Sequence, residues 1–295
     1  MTKILDGAAL AKEIRSEVAK SVLEIKKVHG VTPGLAAVLV GDDPASAVYV
    51  RNKERACAEA GMFSKTFRLP KETTQEEIFT LLNRLNKDES FHGILVQLPL
   101  PDHLNETLTI EAITPIKDAD GIHPFNLGKL MQGIPDFIPG TPAGIQQILL
   151  RNGYDPSGKH VVICGRSNIV GKPLATLLAQ RNDGGNATVT VCHTKTNNLS
   201  ELTAQADILV AAIGQPRAIT SDMVKPGCVI IDVGINRIED SSRKNGYRLV
   251  GDVDFDDVSP LSEAITPVPG GVGPMTIAML LVNTVKAARM QAKVD

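Results

Sequence analysis

The chain has no tryptophan, and only 3% of its 295 residues are aromatic. That scarcity argues against a nucleic-acid binder built on base-stacking platforms. Charge of one sign is missing too: 31 Lys and Arg against 33 Asp and Glu leave a formal net charge of -2. Neither a nucleic-acid backbone nor an anionic membrane has an electrostatic claim on such a surface. The four cysteines, Cys57, Cys164, Cys192 and Cys228, are scattered without a C-x-x-C pair. They read as small buried hydrophobes in a reducing compartment and not as disulfide or metal ligands, so no metal is expected. No apolar run approaches a membrane span. The opening stretch MTKILDGAALAKEIRSEVAK is an amphipathic helix bearing acids, unlike a signal or transit peptide. The expectation is a soluble, cytoplasmic protein.

What is present is an ordinary globular composition, with 43% hydrophobic and 22% charged residues, on a chain long enough for two domains. Helical and strand patterns alternate. Residues 35–40 (LAAVLV) form an apolar run ending in Gly41-Asp42-Asp43-Pro44, which predicts a buried parallel strand and a turn. A helix over residues 46–61, a strand over 65–69, a helix over 74–87 and a strand over 93–98 follow. This is a βαβαβ order, and so a parallel sheet with helices on its faces. Prolines and glycines between Thr114 and Pro142 break any long element, and the domain crossing is placed at the end of that stretch. After a helix over 143–152, strands are expected at 160–164, 188–192, 208–212 and 229–233, with a helix over 174–180 and a long closing helix from about Met275 to Lys293. The division is residues 1–140, completed by the helix 275–295, and residues 141–274. That last helix is long enough to return to the first domain.

Two features carry chemistry. Tyr49 and Lys53 are four residues apart on one predicted helix, so their side chains share a face. A phenol and an amine delivered together can position a substrate and move a proton. A solvated Lys beside a half-buried Tyr is the plain alternative for the pair taken alone. The second feature is Gly165-Arg166-Ser167-Asn168-Ile169-Val170-Gly171-Lys172-Pro173, between a strand and a helix. Strand, glycine turn and helix N-terminus place backbone N–H groups and a positive dipole end against a phosphate. Ser167 stands where a G-x-G-x-x-G fingerprint has its second glycine. Five residues separate the glycines and Pro173 replaces a magnesium-binding hydroxyl, so the loop is not that of a nucleotide triphosphatase. The next strand ends Cys192-His193-Thr194-Lys195, without the acid that selects NAD. Arg166, Thr194 and Lys195 can surround a 2′-phosphate, which favours NADP; a solvated surface loop is the alternative for Lys195. The Tyr-Lys pair precedes the glycine loop. A short-chain dehydrogenase, which also uses Y-x-x-x-K, has the reverse order.

Four more segments complete a pattern: Ser46-Ala47-Val48-Tyr49-Val50-Arg51-Asn52-Lys53, Gln97-Leu98-Pro99-Leu100-Pro101, Asp118-Ala119-Asp120-Gly121 and Pro269-Gly270-Gly271-Val272-Gly273-Pro274-Met275-Thr276. With the glycine loop, they make the chain closely resemble the bifunctional methylenetetrahydrofolate dehydrogenase/methenyltetrahydrofolate cyclohydrolases over essentially its whole length. The resemblance implies two α/β domains, a folate-binding catalytic one and a Rossmann-like NADP-binding one, with the active-site cleft between them. It also implies a homodimer acting on tetrahydrofolate one-carbon derivatives, in the one-carbon supply that serves purine biosynthesis. By the same resemblance Tyr49 and Lys53 pack against and act on the folate one-carbon centre, and Gln97 hydrogen-bonds Lys53. Asp120 binds the pterin, and Ser46, Pro269, Gly270, Gly271 and Val272 line the folate site. Gly165, Arg166, Ser167, Ile169, Val170, Gly171, Thr194 and Ile235 serve the cofactor. For Asp120 alone, a turn acid before Gly121 is the alternative. Gly140 stands where the family often has Cys, and Ala119 where it often has Val.

These residue types suit the chemistry. Oxidising the methylene group needs a hydride path and positioning, because the ring nitrogens stabilise the cation that results. Hydrolysing that cation needs water activated at one carbon, for which a neutral Lys53 can act as base. A lysine near pKa 10.4 must fall by roughly three pH units to be largely neutral at pH 7, at a cost of about 4 kcal/mol. Desolvation and a cationic substrate both push that way. A dehydrogenase without cyclohydrolase activity is disfavoured by the presence of both Lys53 and Gln97. A non-catalytic NADP-binding regulator would bind the cofactor without turnover.

Overall fold

The computed structural model describes residues 2–243 and 246–294, with the backbone only at position 45. In chain order the elements are β1 (Lys3–Ile4), α1 (Gly7–His29), β2 (Gly34–Val40), α2 (Pro44–Glu59), β3 (Phe63–Leu69), α3 (Gln75–Lys87), β4 (Gly93–Val96), α4 (Glu106–Glu111), α5 (Pro124–Met131) and α6 (Gly140–Arg151). Then come β5 (His160–Cys164), α7 (Gly171–Leu178), β6 (Thr188–Cys192), α8 (Leu199–Thr203), β7 (Ile208–Ala211), β8 (Val229–Asp232), β9 (Asn236–Glu239), β10 (Tyr247–Val250), α9 (Phe255–Val258), β11 (Ala264–Ile265) and α10 (Val272–Ala292). Two compact units result. One comprises Lys12–Gly140 with the chain from Ile277 onward, and the other Thr141–Thr276 with the residues up to Ala11.

The first unit is built on a parallel three-stranded sheet in the order β3-β2-β4. Every residue of β2 is buried, as expected of a central strand covered on both faces. Helix α3 shows how sequence becomes packing. Thr74 and Glu77 form a reciprocal capping box at its start. Its apolar positions Ile78, Leu81, Leu82 and Leu85 then share one face, which packs on Val38, Val40, Ile94 and Val96. Burying each such side chain contributes about 1.5–3 kcal/mol. The breaker-rich stretch after Thr114 contains α5, which starts at Pro124 and is capped by His123, whose Nδ1 accepts from the Phe125 N–H. Proline at a first helical position costs nothing, since its missing N–H has no partner there.

The second unit holds a six-stranded parallel sheet in the order β1-β11-β8-β7-β5-β6. Its core runs through Val162, Leu209, Ala211 and Ile230. The order reverses at β5, with β6 on one side and β7 on the other, which is the switch point where doubly wound sheets bind ligands. An antiparallel hairpin, β9–β10, lies outside this sheet.

The division departs from the expected one at the N terminus. The chain opens on an edge strand, β1, paired with β11, so its first residues belong with Thr141–Thr276. Two residues of strand give no periodicity to read; only the distant partner makes them a strand. Helix α10 begins in the second unit, and from Ile277 onward it belongs to the first.

Candidate active site

The groups of interest in the first unit gather at the carboxyl edge of its sheet. Strand β2 leads through Gly41 into α2, where Asp43 caps the helix by accepting the Ser46 N–H at 2.7 Å. Tyr49, half-buried, and Lys53, 8% exposed, follow on that helix. Gln97 comes just after β4, with its N–H bonded to the Val38 carbonyl. Its Nε2 donates to the Leu98 carbonyl at 2.8 Å, which turns Oε1 toward the lysine, and Lys53 Nζ donates to that oxygen at 3.0 Å. This is the ammonium's sole hydrogen bond among the described residues, leaving two of its three donors for other partners. Burial lowers the Lys53 pKa, opposed by the charge of Asp120. Ser46 is buried as well.

Asp120 arrives by a different route. Residue 118 bridges alongside Ile94 of β4, and the Ala119 N–H donates to the Ile94 carbonyl. The loop therefore runs beside β4 and brings Asp120 near the strand end that carries Gln97. The two acids of Asp118-Ala119-Asp120 then part in role. Asp118 is buried and saturated: Oδ1 accepts from the Gly121 and Ile122 N–H groups, Oδ2 from the His123 N–H and Asn126 Nδ2. From α10, Asn283 Nδ2 donates to the Ala119 and Ile138 carbonyls at 3.0 and 2.9 Å. Gly121 is required at its place, because φ is +72° and a Cβ would meet the Ile138 carbonyl carbon at 2.7 Å. Ala119 is fully buried against Gly93.

Held on all sides, the loop leaves Asp120 with a carboxylate that takes no hydrogen bond among the described residues. Burial raises its pKa to about 6, against the pull of Lys53. The site thus pairs an amine whose charged form is disfavoured with a carboxylate whose charged form is disfavoured. Sequence reasoning did not single out Asp118, Asn126 or Asn283; the spacing of two acids around one small residue was the available signal.

In the second unit the glycine loop joins β5 to α7. Gly165, at φ +145°, passes so close to Ala212 that a Cβ would lie 2.3 Å from its carbonyl oxygen. A Cβ on Gly171 would lie 2.1 Å from the Gly165 oxygen. Both glycines are needed for a turn this tight, and the backbone it presents is open to a diphosphate. Ser167 Oγ accepts the Val170 N–H, shaping the turn from within. Arg166 is exposed and, among the described residues, makes no hydrogen bond or ion pair. Thr194 and Lys195 are exposed on the turn after β6, where His193 Nδ1 accepts the Lys195 N–H. Ile169 and Ile235 are 45% and 46% exposed, an unusual display for isoleucines, and Val170 is half-buried. These residues fit a nucleotide. Of the segment leading into α10, Pro269 is exposed and Gly270 half-buried, whereas Gly271 and Val272, the first residue of the helix, are buried; the Gly270 carbonyl accepts from the Ala8 N–H. Among the described residues no cluster of His, Cys, Asp or Glu could hold a metal. No described helix is long and apolar enough to cross a membrane.

A nucleotide-type sheet joined in one chain to a second parallel unit bearing an amine and a carboxylate defines a class, the two-domain α/β dehydrogenases. Comparison with known proteins narrows it. Residues 5–120 match the family model "Tetrahydrofolate dehydrogenase/cyclohydrolase, catalytic domain", and residues 139–292 match the NAD(P)-binding domain of the same family. The bifunctional protein FolD of Prosthecochloris aestuarii is 55% identical over 286 residues, covering 96% of this chain and 97% of that protein. Among solved structures, the bifunctional FolD methylenetetrahydrofolate dehydrogenase/cyclohydrolase of Campylobacter jejuni is 49% identical with a TM-score of 0.92, covering 99% of this chain and all of that one. The Trypanosoma brucei enzyme, complexed with NADP cofactor and inhibitor, is 39% identical with a TM-score of 0.93 and 99% coverage of both chains. The chain belongs to the tetrahydrofolate dehydrogenase/cyclohydrolase family.

Proposed function

We propose that the chain oxidises 5,10-methylenetetrahydrofolate to the 5,10-methenyl cation with NADP, then hydrolyses that cation to 10-formyltetrahydrofolate. The observation that carries this reading is the buried Lys53 amine, held by a neutral amide and acted on by the Asp120 charge. When bound, NADP supplies the acceptor for the hydride lost by the methylene carbon. The residues do the rest. Asp120, which takes no hydrogen bond among the described residues, accepts the amino and ring N–H groups of the pterin. Tyr49 packs on the folate, with Ser46 of the same helix beside it.

In the hydrolytic step, neutral Lys53 takes a proton from the water that adds to the methenyl carbon. The bond from that carbon to N5 then breaks, and the formyl group stays on N10. One water is consumed and one proton released overall. Gln97 suits this role, because an amide orients the amine without the charge by which a carboxylate would keep it protonated.

The cofactor's diphosphate rests on Gly165, Ser167, Val170 and Gly171, with Ile169 beside it. Arg166 and Thr194 bind the 2′-phosphate, and Ile235 supports the nicotinamide. The exposed Arg166 cation and the lack of an acid after β6 support NADP over NAD. The four buried free cysteines support a reducing, cytoplasmic setting, and the family resemblance supports a homodimer, to be checked by light scattering. The deciding experiment is spectrophotometric: methylenetetrahydrofolate and NADP should give the methenyl absorbance, followed by its decay. NADP binding without either change would make the chain a cofactor-binding regulator instead.

A further inference from the structure

Two buried carboxylates in the second unit take no part in the chemistry above. Asp232 ends β8 and is 3% exposed; Asp252 follows β10 and is fully buried. Neither forms an ion pair among the described residues. Asp252 Oδ2 accepts the Ile213 and Gly214 N–H groups at 2.6 and 2.9 Å, and its Oδ1 accepts Asn236 Nδ2 at 2.8 Å. Asp232 Oδ1 accepts the Gly234 and Asp252 N–H groups, and Oδ2 the Val253 N–H, each at 2.9 Å. Both carboxylates fill space that a glycine leaves open. A Cβ on Gly251 would lie 1.7 Å from Asp232 Oδ2, and one on Gly234 would lie 2.3 Å from Asp252 Oδ1.

These bonds tie together three segments: residues 213–214 after β7, Gly234 and Asn236 after β8, and the Asp252–Val253 backbone after β10; Asp252 reaches the first two, while Asp232 holds Gly234 and the segment that carries Asp252. Gly234 and Asn236, the neighbours of Ile235 on either side, are each tied to one of the acids, while Ile235 itself projects with 46% of its surface exposed. In a sheet ordered β8-β7-β5-β6, the glycine loop and the β6 turn serve one half of a dinucleotide bound at the switch point. The loops after β7 and β8 lie on the other side, that of the nicotinamide.

We infer that Asp232 and Asp252 form a carboxylate clamp, Asp252 fixing the loops after β7 and β8 and Asp232 fixing Gly234 and the backbone that carries Asp252, and that it holds these loops, with Ile235, as the seat of the cofactor's nicotinamide half. They are positioning residues, buried beneath the surface they shape. The arrangement is costly as pure scaffolding, since burial without a cation pushes the Asp232 pKa up to about 6. What the carboxylates offer in return is acceptor capacity on both oxygens, which suits a ring of N–H donors as no neutral side chain does.

The inference rests on the NADP site proposed above, and calorimetric titration separates the two. The ligands are NADP and adenosine 2′,5′-bisphosphate, which carries the phosphorylated adenosine but no nicotinamide. In Asp252→Asn the amide turns a donor toward N–H or Nδ2 donors, and NADP affinity should fall about tenfold or more while adenosine bisphosphate affinity holds. Asn236→Ala, which removes one donor and leaves the backbone bonds, should give a smaller loss with the same selectivity, and it carries the test if Asp252→Asn does not fold. Equal losses for both ligands, or lower thermal stability with both affinities intact, would overturn the clamp. If the unmodified chain binds neither ligand, it is the cofactor site itself that fails.

Discussion

Replacing Lys53 by methionine keeps an unbranched stem of similar bulk and removes the amine. If the amine is the base that activates water, hydrolysis should drop by the worth of a positioned general base, about 10²–10⁴-fold. That corresponds to about 3–5 kcal/mol of barrier. The protein should not suffer for it. Lys53 is 8% exposed with one hydrogen bond, to Gln97, and burial already disfavours its charged form. A thioether there carries no desolvation penalty, and the half-buried Gln97 oxygen is within reach of water, so the melting temperature should hold or rise. Asp120 loses the positive neighbour that opposes its raised pKa and should titrate still higher. The assay starts from the methenyl compound and follows its absorbance, with the spontaneous rate subtracted; oxidation of the methylene compound is measured on the same preparation. Cyclohydrolase turnover within a few-fold of the unmodified chain, on a folded variant, would refute the assignment of Lys53 as base.

Asp120→Asn should weaken folate binding by about 1–3 kcal/mol, because a donor then faces the pterin's donors. Both activities should fall together while the NADP Kd stays constant; loss of one activity with folate affinity intact would place Asp120 in catalysis. Arg166→Ala should cost NADP about 1.5–3 kcal/mol, roughly ten- to a hundredfold in Kd, and NAD much less; equal losses would mean that Arg166 does not read the 2′-phosphate. For pH, the sign follows from Asp120. Its folded pKa of about 6 lies above the ordinary carboxylate value, so the free enzyme gains a proton as pH falls through 6. A protonated carboxyl is a poorer acceptor, so kcat/KM for both reactions should decline below about pH 6, a limb that Asp120→Asn should lack. Stability runs the other way: Asp120's contribution should grow between pH 6 and 4, where the folded chain holds a proton that the unfolded chain has released.

Much of this architecture is local and so can be read from the chain. The apolar run of β2, the capping box and 3.6-residue period of α3, and Gly171, pressed against the Gly165 oxygen, each depend on neighbours a few residues away. Tyr49 and Lys53 share a helix face for the same reason. Tertiary structure decided what depends on distant partners. Lys3–Ile4 become a strand only because β11 lies beside them. Asp118 and Asp120 are indistinguishable by residue type, and it is the loop's path, pinned at Ala119 by Ile94 of β4 and Asn283 of α10, that sets one among its donors as a brace and leaves the other open. Asp232 and Asp252 stand twenty residues apart, and nothing in their spacing announces that one accepts the other's backbone N–H. Periodicity reports which face of an element is buried; the partner of a buried polar group is set by how the elements pack, and that is where the roles of the acids were decided.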